Sequence, residues 1–230
     1  MKEKTKVFSN ELAYILALLT LAFGTALMEA ANFGVSMVVA PAYILHLKIS
    51  QYLPFFSFGM AEYSLQALLL IITVVITRRF KLSYLFSFVT AVLYGFTLDA
   101  WMWLVALIPA DSIAVRVLFY LVGMLFCSIG VSLFFHTYIA PEAYELFVKE
   151  VSTRIGISIH LFKTGYDCVS CLLSILLSFA FFGLWHFEGV KLGTIFCALV
   201  NGWIIGQCTK FFNKHWRFED TLPLRPFFNR

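Results

Sequence analysis

Charge is scarce in this chain of 230 residues: Asp, Glu, Lys and Arg make up 13% of it, against about 25% in an ordinary soluble domain. Proline is also sparse, with six residues, so long helices go largely uninterrupted. The five cysteines all fall inside apolar runs, which argues against a disulfide scaffold. Cys168 and Cys171 have the C-x-x-C spacing, but no second pair stands nearby to complete a metal site, and they read as reduced packing residues. The sequence contains no His-Glu-x-x-His, no Gly-x-Ser-x-Gly, no phosphate-binding glycine loop and no dinucleotide fingerprint. No nucleophile and base lie at matched depth. Conventional enzyme chemistry, a cofactor and a catalytic metal are therefore not expected.

What the chain has instead is apolar surface. Hydrophobic residues reach 61%, 26 residues are Phe, and the mean hydropathy is +0.86. A soluble core of this size does not hide so much, so hydrocarbon is the expected solvent. A bilayer core about 30 Å thick takes roughly 20 apolar residues per helix. Six segments meet that length: 12–31, 59–77, 82–108, 113–138, 160–184 and 192–212. Breakers or charges follow them, as at Asn32-Phe33-Gly34, Arg78-Arg79-Phe80-Lys81, Pro109-Ala110-Asp111, Pro141-Glu142 and His186-Phe187-Glu188-Gly189. The first run is too long for a signal peptide and lacks a small-x-small site, so it reads as an uncleaved helix.

Six spans put both ends on one side, with the 78–81 and 139–163 connections. Fourteen of the 17 Lys and Arg fall on that side, and Lys48, Arg116 and Lys191 on the other. The positive-inside rule makes the basic side cytoplasmic. The net charge of +4 is thus topology and not a nucleic-acid footprint. The basic tail reads as a solvated flank or a contact with anionic lipid. Trp101, Trp103, Trp185, Trp203 and Trp216 read mostly as an interfacial belt.

The two halves read alike. Ala40-Pro41-Ala42-Tyr43 through Lys48-Ile49-Ser50 resembles Ala140-Pro141-Glu142-Ala143-Tyr144 through Lys149-Glu150-Val151-Ser152. Lys81-Leu82-Ser83 with Phe86 corresponds to Lys191-Leu192-Gly193 with Phe196. Three spans per half means that the second half enters from the opposite side. The expected fold is all-α: six transmembrane helices as two inverted three-helix repeats, the pattern of many secondary transporters. Residues 1–11 form a cytoplasmic segment, 12–110 and 111–212 the repeats, and 213–230 a basic tail. Residues 41–52 and 141–155 are too short to cross and are either re-entrant or interfacial. In the second, Tyr144, Phe147, Val148, Val151 and Ile155 share one face, with Glu145 and Lys149 on the polar side.

An ionisable group at a helix centre costs about 2.5–3.5 kcal/mol on insertion scales, so each one asks for a reason. Glu62, Gln66, Thr73 and Thr77 fall on one face of the second span, and Lys163, Asp167, Ser170, Ser174 and Ser178 form a comparable stripe on the fifth. Glu29, Glu62 and Asp99 are expected toward the outer leaflet; His136, His160, Lys163 and Asp167 are expected toward the cytoplasm. Crowded carboxylates do not all ionise, which suits a proton-coupled or cation-accepting site. The bland alternatives are interface-depth solvation for Glu29, Asp99 and His136, a structural Lys163–Asp167 pair, and Ser/Thr packing faces. Asn201 and Gln207 read as interhelical glue.

Several segments resemble the YczE/YitT-type bacterial integral membrane proteins. They are Phe58-Gly59, Arg78-Arg79-Phe80-Lys81, Gly95 through Trp103 with its Asp99-Ala100-Trp101-Met102-Trp103 run, Phe181-Phe182-Gly183, and Glu188 through Ile195. The resemblance runs from about residue 12 to 212 and puts Asp99, Lys163 and Asp167 on motif positions. It implies a bacterial inner-membrane location and no particular substrate. Around Pro141 a Pro-Gly-Glu-Gly pattern is replaced by Pro-Glu-Ala-Tyr, and the expected Gly/Pro-rich turn after Gly34 is altered. The sequence thus predicts a small-solute permease with an unknown, proton-coupled solute. The alternative is a non-transporting membrane partner or substrate-capture subunit; a homo-oligomer fits either. Lipid is the other expected partner.

Overall fold

The computed structural model describes residues 6–157, 159–184, 188, 190–223 and 225, with only the backbone for Leu82 and for 159–161. Lys2, Lys4, Trp185, His186 and the His160 side chain lie outside the described residues. Eight helices are described: α1 (Asn10–Ala31), α2 (Ala40–Ile49), α3 (Phe58–Thr77), α4 (Leu82–Val105), α5 (Ile113–Phe134), α6 (Ala143–Ile155), α7 (Ile159–Phe182) and α8 (Leu192–His215). All but α2 and α6 are long and apolar enough to cross a bilayer, which marks a multi-pass membrane protein. The expected spans agree with these six to within a few residues.

The helix ends follow from local chemistry. Ser9, Ser57 and Ser112 stand just before α1, α3 and α5, and each hydroxyl accepts from a backbone N–H three residues on. Asn32 and Arg78 close α1 and α3 in the left-handed region, at φ of 57° and 51°. Gly156 does the same for α6 at φ 77°.

The core is the crossing of α1 and α5. A Cβ at Gly24 would lie 2.5 Å from the Gly123 carbonyl oxygen, and one at Gly123 would lie 2.7 Å from that of Gly24. Gly130 meets Ala17 and Leu21. Contacts that rise along α1 while falling along α5 make the two antiparallel, and glycine lets their backbones touch. Around this axis α4 lies on α1 and α8 on α5. Tyr14 bonds Thr90 and Thr25 bonds Tyr94 on one side; Ser128 bonds Asn201 and Ser132 bonds Thr209 on the other. Both of these pairs run parallel.

The short helices lie against spans of the opposite half. At the start of α6, the Ala143 N–H donates to Gln66 of α3 at 3.0 Å; at its end, Arg154 donates to the Thr77 carbonyl at 2.6 Å. At the start of α2, Ser170 of α7 donates to the Met37 carbonyl at 2.7 Å; at its end, Lys48 donates to the Phe181 carbonyl at 3.4 Å. Each basic side chain thus caps a span's C-terminus, where cations are favoured. Between its two contacts each short helix follows its span for eleven residues (66 to 77, 170 to 181), roughly 16 Å at 1.5 Å per residue.

One-faced amphipathicity does not describe α6. It packs on α3, α4 and α7, so Glu145 is buried along with Tyr144, Val148 and Val151, and Ile155 is exposed. The tail also departs from the expected solvated flank. Residues Trp216–Glu219 (β2) pair in parallel with Lys6–Ser9 (β1), and Asn10 bonds Asp220. Glu11 accepts from the backbone N–H groups of Thr221 and Leu222. The Arg225 guanidinium holds the Asp220 carboxyl below its ordinary pKa.

Candidate functional site

Glu62 and Gln66 stand one turn apart on α3, on the buried face that carries Thr73 and Thr77. That face looks onto the start of α6, which brings Glu142, Tyr144 and Glu145. Glu62, Gln66 and Glu142 are at most 2% exposed, and Glu145 is 9% exposed. The Gln66 amide is oriented: its oxygen accepts the Ala143 N–H at 3.0 Å, which turns its nitrogen toward both acids. Nε2 reaches Glu142 Oε2 at 3.1 Å and Glu62 Oε2 at 3.5 Å. Tyr144 donates its hydroxyl to Glu62 Oε2 at 3.1 Å. The other oxygens are bare. Glu62 Oε1, Glu142 Oε1 and Glu145 Oε2 are buried with no hydrogen-bond partner. A carboxylate accepts on both oxygens when it can, so three half-satisfied acids in one place are costly. Burial, then the Glu145 and Glu62 charges, push Glu142 well above the ordinary carboxyl pKa. Burial also raises Glu145, against the pull of Lys163.

The expected outer cluster of Glu29, Glu62 and Asp99 divides among three places. Asp99 is the anchor of α3: Oδ1 accepts the Gly59 N–H at 2.8 Å and Oδ2 the Ser57 hydroxyl at 2.5 Å. Gly59 and Gly95 meet backbone to backbone beside it, so a Cβ at Gly59 would overlap the Gly95 carbonyl oxygen. A carboxylate at a helix N-terminus answers exposed N–H groups and a positive dipole. Glu29 accepts from the Tyr43 hydroxyl at 3.1 Å. It lines a pocket with Met28, Asn32, Gly34, Tyr43, Glu188 and Lys191 that has about 20 Å³ of room, enough for one water.

On the other side of α6, Lys163 and Asp167 form an ion pair at 2.8 Å, half-buried. Ser170 is spent on Met37, and Ser174 donates to the Ser170 carbonyl at 2.8 Å. Ser178 accepts the Glu188 N–H. His136 bonds the Ser132 carbonyl and Asn213, and its ring lies 4.4 Å from that of Phe218. It joins α5, α8 and the strand pair, away from the acids. Gln207 is exposed. Among the described residues no three His, Cys, Asp or Glu side chains are placed to hold a metal ion.

Glu142, Glu145 and Tyr144 are the site residues that sequence reasoning passed over. The available signal was Pro141-Glu142, an acid at the very start of a helix too short to span, repeated one turn later at Glu145. A family model for proteins of unknown function, DUF6198, matches residues 8–210. The chain belongs to DUF6198. No curated protein and no solved structure matches it. The DUF6198 match takes in every helix through most of α8, and so the whole acid cluster. It does not name the YczE/YitT type. In this DUF6198 chain two of the segments that carry that resemblance are joints: Asp99 of α4 holds the start of α3, and Gly193 and Thr194 tie the start of α8 to the 33–35 turn through the carbonyls of Phe33 and Val35.

Proposed function

We propose that the chain is a small-solute transporter of the bacterial cytoplasmic membrane, with its polar site where α6 meets α3. The observation that carries this reading is the buried group Glu62, Glu142 and Glu145, each with a bare oxygen. Membrane proteins keep such costly acids for solute and ion paths. The likeness to YczE/YitT-type proteins belongs to the same proposal, as does a non-enzymatic role.

Architecture supports it. The antiparallel α1–α5 axis, the α1–α4 and α5–α8 pairs, and the two short helices clasped by opposite halves match under one exchange of halves. Gln66 with Ala143 and Thr77 with Arg154 correspond to Ser170 with Met37 and Phe181 with Lys48. That is the pattern of an inverted repeat, with α2 and α6 as re-entrant helices whose N-termini lie near mid-depth. Fourteen of 17 Lys and Arg on the side of the chain ends support a cytoplasmic placement of that side.

Uptake into proteoliposomes, screened over a metabolite panel with and without a pH gradient, tests the reading. The wild type is expected to move at least one solute, and Glu142→Gln to abolish that movement while inserting normally. Undiminished uptake by both Glu142→Gln and Glu62→Gln removes the site. A second reading, a membrane partner without transport, draws on α7 and α8, which stand apart, so that a Cβ at Gly165, Gly202 or Gly206 would meet no neighbouring element within 4 Å. A stable stoichiometric complex of the solubilised protein, together with no uptake, favours that reading.

A further inference from the structure

The transporter reading leaves its driving ion unnamed. We propose that Glu62 and Glu142, with Glu145 beside them, are a proton-binding site, so that H⁺ is the ion this protein couples to. This rests on the transporter reading for its use, but not for its chemistry.

Hydrogen-bond donors reach only one oxygen of each acid. Gln66 is locked by the Ala143 N–H and gives its two amide hydrogens to one oxygen of each acid, Glu62 Oε2 and Glu142 Oε2. Tyr144 adds a third donor, also on Glu62 Oε2. No donor faces either Oε1. An ionised carboxylate needs hydrogens on both oxygens, whereas a neutral carboxyl carries its own on one. Donors on one oxygen and none on the other is the pattern of a site that takes its missing hydrogens as protons.

The surrounding charge favours the same ion. The groups around the cluster are Tyr14 of α1, Tyr94 of α4, and Lys163, Tyr166 and Asp167 of α7. The Lys163 ammonium is already bound to Asp167. What remains is the N-terminus of α6, worth roughly half a positive charge, against as many as three carboxylates. The excess is removed by protonation. Among the described residues no three acid, His or Cys side chains are grouped to hold a metal ion, and the proton is the cation that needs no such group. In the step itself, a hydronium ion on one side of the membrane breaks an O–H bond and leaves as water, an O–H bond forms at a bare Oε1, and the carboxylate's negative charge is neutralised. The O–H bond breaks when the proton passes to water on the far side.

Infrared spectroscopy of the full chain in lipid vesicles reads this directly. At neutral pH the wild type is expected to display a protonated-carboxyl C=O band that shifts in D₂O and fades as pH rises. Glu62→Gln and Glu142→Gln should each remove a large part of it, and the exposed Glu219→Gln none. Adding sodium or magnesium chloride at fixed pH should leave the band alone. Absence of the band in wild type, its survival in both Gln variants, or its loss on adding either salt overturns the proposal. If Glu62→Gln fails to insert, Glu145→Gln takes its place with the same expectation. An intact band beside an inactive solute panel sinks transport while the proton site stands.

Discussion

The two halves are built from the same parts and are packed to different degrees. In the first, α3 and α4 lie along each other, with Gly59 against Gly95 and Asp99 closing the joint. In the second, α7 and α8 make no such extended contact. Their helical glycines at 165, 202 and 206 face open space, and both helices are mostly uncovered. The first hairpin is pinned by an acid that serves two donors. Close packing is thus concentrated around α1, α5 and the α3–α4 hairpin, and α7 and α8 are left largely uncovered. In a two-state carrier that is the arrangement in which one unit rocks against the other.

A single methyl group is expected to have the largest effect on the difference between the halves. Gly59→Ala drives a Cβ into the Gly95 carbonyl, and overpacking against backbone is expected to cost about 3 kcal/mol. Gly206→Ala meets nothing and should be neutral or stabilising by about 0.5 kcal/mol. Thermal unfolding in detergent measures both. Equal losses would mean that α8 is packed as tightly as α3.

Next in size is the effect of pH. Glu142 and Glu145 have raised pKa values in the folded chain, whereas an unfolded Glu titrates near 4.3. Above that value the folded state holds protons that the unfolded state has released, so unfolding releases protons and stability falls as pH rises. The melting temperature should decline from about pH 4.3 upward until the raised pKa values are passed. In Glu142→Gln the decline should flatten. A wild-type melting temperature that rises across this range contradicts the assignment.

Motion distinguishes the hairpins more finely. Spin labels at Leu68 and Leu93 on α3 and α4 are expected to give a narrow distance distribution, and labels at Val169 and Leu199 on α7 and α8 a broad one. Two equally narrow distributions would erase the contrast. The smallest effect belongs to the lysines that begin α4 and α8. Lys81 pairs with Glu150 at 2.7 Å in a partly exposed bridge, and Lys81→Gln should cost about 0.5 kcal/mol, near the limit of a careful melt. A loss of several kcal/mol would make it a structural pin like Asp99.

The spans were legible because hydrocarbon imposes a length, and apolar runs near 20 residues declare themselves. Asp99, Glu62 and Asp167 were legible as costly residues, since an acid inside a membrane segment demands a reason. Which reason was not legible. Asp99 turned out to hold a backbone N–H and a serine forty-odd residues earlier in sequence, a partnership that exists only once α3 and α4 fold together. The acids of α6 escaped for a related reason. Glu145 next to Lys149 reads as a solvated ion pair on a polar face, but three helices close round α6 and leave Glu145 inside while Lys149 stays exposed. Periodicity tells which residues share a face and not how many neighbours a helix will have.

The parallel pairing of 6–9 with 216–219 has a consequence for biogenesis. The first strand leaves the ribosome some two hundred residues before its partner exists, and closing so long a loop carries an entropic penalty. That clasp therefore forms only after the last helix has been inserted, as the final seal on an assembled bundle. Chains stalled before Trp216 would carry an unmated edge beside Phe8.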